Sequence, residues 1–158
     1  MASYGVPTDP DGALPWTWAE DRLAACRNYW VVTVNAAGRP AAMPVWGVWR
    51  QDPPAFFFSC APDARKARNI AQNPQVCVMI DDTVECVSVE GIASLVEDEA
   101  ARTAAATTYA QKYSAAEEQA SMREFVLGHA IFEVRPLKAL AIIEREEDFA
   151  TKATRWSW

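Results

Sequence analysis

Apolar and polar residues alternate in short runs along most of this chain. Such runs, rich in β-branched and aromatic residues, predict strands. The first is Tyr29 to Asn35, followed by Pro40 to Arg50 and Ala55 to Cys60. Gln75 to Ile80 and Val84 to Val96 come next, and His129 to Arg135 with Leu137 to Ile143 complete the set. The first three are separated only by Ala36-Ala37-Gly38-Arg39 and Gln51-Asp52-Pro53-Pro54. Both linkers are turns, with Gly38 supplying a positive φ. Short connections imply an antiparallel meander. Gly91, inside the fifth run, predicts a bulge or a close backbone approach.

Helical signals fall between the strands. Thr17-Trp18-Ala19-Glu20 matches a capping box, so a helix is expected from there to about Asn28. Pro62 and Asp63 suit the first turn of a second helix, which Asn73-Pro74 ends near Gln72. Glu97 to Tyr113 and Ala115 to Leu127 read as further helical pieces. Residues 1–15, with three prolines, read as an irregular arm, and residues 16–158 as one domain. Strands and helices do not alternate in βαβ fashion. The expected fold class is mainly β (α+β), an antiparallel barrel decorated by short helices.

Charge narrows the partners. The 158 residues carry 15 Lys+Arg and 21 Asp+Glu, a net charge of 15 − 21 = −6. Nucleic acid is therefore not an expected partner, because phosphate neutralisation needs a basic surface. The N-terminus has no basic or apolar signal-peptide region, and no apolar run is long enough to span a bilayer, so a cytoplasmic protein with no membrane partner is expected. Cys26, Cys60, Cys77 and Cys86 form no Cys-x-x-Cys pair and read as small buried hydrophobes. No metal site is expected. Seven tryptophans stand out, five within the first 49 residues and two among the last three.

The acidic average hides a local reversal. Arg65-Lys66-Ala67-Arg68 places three basic residues in four, whereas Asp81 to Glu99 holds seven acidic residues and no basic one. A basic cluster directly after a strand is either a solvated helix face or an anion site. The strand around Met43-Pro44-Val45-Trp46-Gly47 carries a proline that removes a ladder donor and a glycine that permits close approach. It is either an irregular core strand or a surface for a flat heterocycle. His129 reads as structural. Glu85 and Glu90 should face opposite sides of their strand, so a paired-carboxylate site is unsupported. A basic cluster, an irregular apolar strand and tryptophans point to a phosphorylated aromatic cofactor that would carry the chemistry.

These residues resemble a known family. Tyr29 to Val34, Gly38-Arg39-Pro40 and Met43 to Trp49 are similar to the flavin/deazaflavin oxidoreductases of the pyridoxamine 5′-phosphate oxidase-like superfamily. So are Arg65-Lys66-Ala67-Arg68-Asn69 with Asn73-Pro74, Val89-Glu90-Gly91-Ile92-Ala93, and the ending Ala153-Thr154-Arg155-Trp156. The resemblance is strongest to the actinobacterial branch that uses the deazaflavin coenzyme F-420.

The resemblance implies a six-stranded antiparallel split β-barrel, working as a homodimer with two cofactor clefts between the subunits. Arg65 and Lys66 would hold the cofactor phosphate, and Asn69 would support them. Met43, Pro44, Val45, Trp46 and Gly47 would line the ring. Phe58 and Ser59 match positions near the phosphate-bearing tail, and Arg155 and Trp156 match a C-terminal segment that reaches the cleft. Two positions depart from the pattern: Ala64 stands where many relatives have serine, and Ala41 where many have histidine. Basic residues that vitamin-B6 oxidases carry on the ring-binding strand are absent, with Met43 and Val48 there instead. The implied activity is hydride transfer between coenzyme F-420 and a small organic substrate. The alternatives are an FMN-dependent oxidase or reductase and a non-catalytic flavin- or deazaflavin-binding protein. No catalytic residue is singled out.

Overall fold

The structure is a computed structural model and describes residues 13–149 and 151–158. The irregular arm expected over residues 1–15 lies, up to residue 12, outside the described residues. The order of elements is α1 (Trp16–Ala25), β1 (Tyr29–Val34), β2 (Pro40–Val45), β3 (Gly47–Arg50), β4 (Ala55–Cys60), α2 (Arg65–Gln72), β5 (Gln75–Ile80), β6 (Glu85–Leu95), α3 (Glu99–Tyr113), α4 (Gln119–Leu127), β7 (Ala130–Ile143), α5 (Glu146–Phe149) and β8 (Thr154–Ser157).

All strand pairs are antiparallel, in the order β2-β1-β5-β6-β7-β4-β3, with β8 added beside the second half of β7. The two ends of that order, β2 and β3, are consecutive in the chain and meet at Trp46. One segment therefore begins on one edge of the sheet and finishes on the other, which curls the sheet around its contents. Those contents are the inward residues of the alternating runs: Tyr29, Val31, Phe56, Phe58, Val78, Val87, Val89 and Val134 are all at or below 1% exposure. Burying each such side chain stabilises the fold by roughly 1.5–3 kcal/mol before the opposing entropy.

The resemblance implies six strands and the sequence runs mark seven; the structure has eight. Pro40 to Arg50 is not one strand, because the ladder with β1 stops at Val45 and a new one with β4 starts at Gly47. His129 to Ile143 is not two strands either. β7 runs straight through Pro136, which faces Gly91 where the register slips. The slip leaves Leu137 as the extra residue, so the bulge foreseen at Gly91 is accommodated on the opposite strand. A side chain at Gly91 would meet the Arg135 carbonyl oxygen at 2.4 Å, so the close approach is real. Glu85 and Glu90 precede the slip and do point to opposite faces, as alternation requires.

Helix starts were read less well than strands. α1 begins at Trp16 with Pro15 before it and no side-chain cap, so Thr17 caps nothing. Glu20 instead turns inward: Oε1 accepts from the indole N–H of Trp16 at 3.3 Å and of Trp49 at 3.1 Å. α2 begins at Arg65, after Pro62 and Asp63, again without a side-chain cap. α3 is capped by Asp98, whose carboxylate accepts from the Ala101 amide at 2.8 Å. The turn at Gly38 has the expected positive φ, 74°, and Asn35 Oδ1 closes it by accepting from the Ala37 and Arg39 amides.

Two layers of packing result. α3 and α4 cover the outer face of β3 and β4 through Tyr109, Tyr113, Val126, Val48 and Phe57. The outer face of β1, β5 and β6 has no such cover among the described residues, and it leaves Trp30 41% exposed. The four thiols are half-buried rather than buried, and burial raises each above the usual thiol range. No described helix is long and apolar enough to cross a membrane.

Candidate cofactor cleft

The break between β2 and β3 leaves the polar backbone of Trp46 and Gly47 without a regular ladder on both sides. A buried amide or carbonyl must be satisfied somewhere. Here α3 supplies the partners, through side chains one helical turn apart. The Tyr113 hydroxyl accepts from the Gly47 amide at 2.9 Å and lies 2.8 Å from the Gly47 carbonyl and 2.7 Å from that of Arg27. The Tyr109 hydroxyl donates to the Trp46 carbonyl and accepts from the Ser59 amide at 3.3 Å. The Lys112 ammonium reaches the Gly47 carbonyl at 3.1 Å and the Tyr29 hydroxyl at 2.7 Å.

Gly47 is obligatory for a different reason: a Cβ there would lie 2.1 Å from the Phe56 ring and 2.9 Å from the Phe57 carbonyl. The corner is thus pressed onto β4 from one side and held by three α3 side chains from the other. Trp46 stacks flat on Tyr113, with centroids 4.8 Å and planes 8° apart, yet stays 42% exposed. The Arg27 guanidinium lies 5.5 Å from both ring centroids.

Electrostatics separates holders from donors. Burial raises the Tyr109 phenol far above its usual range and pushes Tyr113 up to about 12, so near neutrality both stay protonated and hold backbone. Burial also lowers Lys112, to about 8.

Beside the corner lies a cleft of about 420 Å³ lined by Pro44, Val45, Trp46, Ser59, Cys60, Ala64, Lys66, Tyr109 and His129, among others. Five residues expected at a site meet here: Pro44, Val45, Trp46, Ser59 and Lys66. Lys66 has no hydrogen-bond or ion-pair partner among the described residues, nor does the exposed Arg65 beside it. Asn69 is 4% exposed and donates from Nδ2 to Thr33 Oγ1 at 2.9 Å, which ties α2 to β1. It thereby holds in place the helix that carries Lys66.

The other expected residues lie elsewhere. Met43 is on the opposite side of β2 from Pro44, and 52% exposed. The Phe58 side chain is inside the barrel against Phe56 and Phe132. Arg155 and Trp156 line a separate groove of about 490 Å³ with Ser88, Glu90 and Lys138. Trp156 also packs edge-on against Trp16, with centroids at 5.3 Å. Tyr109, Tyr113 and His129 were not expected at the site. The helical spacing of Tyr109 and Tyr113 was the only sequence signal for the first two, and it reads equally as core.

The arrangement suits an anion at the Lys66 end and a flat apolar group along Pro44 to Trp46. Comparison with known proteins places it. The sequence matches the pyridoxamine 5′-phosphate oxidase family over residues 19–140. The chain belongs to that family. No curated protein matches it by sequence. Solved structures share the fold at low identity. A conserved hypothetical protein from Mycobacterium tuberculosis is 16% identical with a TM-score of 0.75, covering 89% of this chain and 91% of that one. An F420 reductase is 22% identical with a TM-score of 0.59, covering 76% and 94%. HutZ, a heme storage protein from Vibrio cholerae, is 21% identical with a TM-score of 0.62, covering 76% and 88%. The family and its fold are thereby fixed, with eight strands rather than six in this member.

Proposed function

We propose that this chain is an oxidoreductase that binds the deazaflavin coenzyme F-420 and transfers hydride between it and a small organic substrate. One observation carries the reading: an unpaired Lys66 and an exposed, stacked Trp46 line the same cleft. The resemblance of the sequence motifs to the F-420-using branch supports that cofactor over FMN.

The donor set fits the group. Lys66 and Arg65 would hold its phosphate, with the Ser59 hydroxyl as a neutral contact. Pro44, Val45 and Trp46 would flank the ring. Bound deazaflavin supplies the hydride chemistry itself. The chain's task is orientation and exclusion of water. Tyr109, Lys112 and Tyr113 keep the Trp46–Gly47 backbone in place, and no strong general acid is needed, since a proton can come from solvent.

The uncovered face of β1, β5 and β6 supports a homodimer, with a second copy completing the wall of the cleft. Apolar side chains exposed on a sheet face gain from such cover. FMN is the second reading, and one contact favours it. Arg68 Nη1 donates to the Asp63 carbonyl, which shortens the basic track available to the polyanionic tail of F-420.

Spectral titration decides between the two. F-420 is expected to bind with an affinity on the order of micromolar, and Arg65→Ala with Lys66→Ala to weaken it about 100-fold, as loss of two charge-assisted contacts implies. Binding of FMN but not F-420 would transfer the assignment to FMN. Tight binding with no oxidation of reduced coenzyme by quinones, enones or tetrapyrroles would indicate a carrier.

A further inference from the structure

His129, the chain's one histidine, sits in the turn between α4 and β7 and lines the cleft that holds Lys66. Its ring is oriented from two directions. Nδ1 lies 2.6 Å from the Phe125 carbonyl oxygen, and the ring packs on Phe125 with centroids at 4.4 Å. A carbonyl can only accept, so Nδ1 must carry the hydrogen of that bond. The backbone is fixed as well: the His129 amide donates to the Val126 carbonyl at 3.1 Å, and Arg102 Nη2 donates to the His129 carbonyl at 3.2 Å. Nε2 is left without a partner among the described residues. The titratable groups that line the cleft with it are Cys60 on β4, Lys66 on α2 and Tyr109 on α3, none of them a carboxylate, while Arg102 on α3 reaches its carbonyl.

We infer that His129 joins Lys66 as a cation lining the cleft's anion end, and that an organic phosphate binds there together with one proton. This rests on the cofactor-binding reading above. The charge logic is short. With Nδ1–H committed to Phe125, the neutral ring offers only a lone pair at Nε2, which repels an ionised phosphate oxygen that also only accepts. Taking one proton from solvent turns Nε2 into a donor and gives a charge-assisted bond. Cofactor affinity therefore falls as pH rises through neutrality, which an Arg–Lys pair alone would not produce.

A chain with one histidine has a single pair of imidazole C–H signals in proton NMR, and the Cε1–H resonance of His129 is the one followed. The intact protein is held at fixed pH and titrated separately with F-420, FMN and inorganic phosphate. The His129 signal is expected to move towards its protonated position with whichever cofactor binds by absorbance. His129→Gln keeps a donor but not a charge, so it should bind about tenfold more weakly and without the rise in affinity at lower pH; circular dichroism checks that it is folded. A cofactor that binds without moving the signal, or His129→Gln with the wild-type pH profile, overturns the inference. If neither cofactor binds but inorganic phosphate moves the signal, the cofactor reading fails and the His129 site stands. If nothing moves it, both fall.

Discussion

Tryptophan does opposite work at two places in this molecule. In one, Trp16 contacts Trp49, Trp156 and Trp158 edge-on, at centroid distances of 5.9, 5.3 and 4.8 Å. Glu20 accepts from two of those indoles, and the cluster ties α1 to β3 and β8. In the other, Trp46 lies flat on Tyr113 with one face open, at a corner whose backbone depends on α3 side chains. The first cluster supplies its own partners. The second depends on α3 hydroxyls for its backbone and leaves aromatic surface and the Lys66 ammonium unpaired. Packing satisfies its groups locally; a binding surface keeps some unsatisfied and has them held from behind.

The sharpest way to break that contrast is at the corner itself. Gly47→Ala places a Cβ against the Phe56 ring and the Phe57 carbonyl, so urea denaturation should show a loss of about 3 kcal/mol. A loss near zero would mean that the corner is loose. Next comes Tyr113→Phe, which removes the hydroxyl shared by the Gly47 amide and carbonyl. A cost of about 2 kcal/mol is expected, with cofactor affinity falling in parallel. Glu20→Ala sharpens the other side. It should cost about 1 kcal/mol in the same denaturation and leave cofactor affinity where it was. Equal weakening of binding by the Glu20 and Tyr113 variants would erase the distinction between the two regions.

The last test is a pH slope. Lys112 is lowered to about 8 from an ordinary 10.5, so between those values the unfolded chain holds more protons than the folded one. Stability from this group therefore rises with pH across that window. The raised thiols and phenols act in the opposite direction above about pH 9, because they ionise more readily in the unfolded chain. The difference between wild type and Lys112→Met isolates the lysine. It should grow in favour of the wild type from about pH 8 to about pH 10. A flat difference would place Lys112 in solvent.

Much of this was legible along the chain. Strand runs are short-range patterns, and Tyr29–Val34, Ala55–Cys60 and Gln75–Ile80 came out within a residue of their observed limits. The basic run and the proline–glycine strand marked one cleft, because local composition signals unusual chemistry. The capping box at Thr17 was misleading, since the Glu20 carboxylate accepts from the indoles of Trp16 and Trp49 instead of reaching back to its own helix end. The strand break at Trp46 was also invisible. Nothing between Pro40 and Arg50 says that two different neighbours share the segment.

By itself, then, the sequence determined the strands, the turn at Gly38, the family motifs and the residue types that can hold an anion, all of which depend on neighbours a few positions apart. Only the tertiary structure decided that β2 and β3 sit on opposite edges of one curled sheet. It alone placed Tyr109 and Tyr113 on the Trp46–Gly47 corner more than 60 positions away, and put His129 on the wall of the cleft that Lys66 lines. Those contacts exist because buried backbone groups must find partners wherever the fold brings them, and a one-dimensional pattern carries no record of which distant hydroxyl arrives.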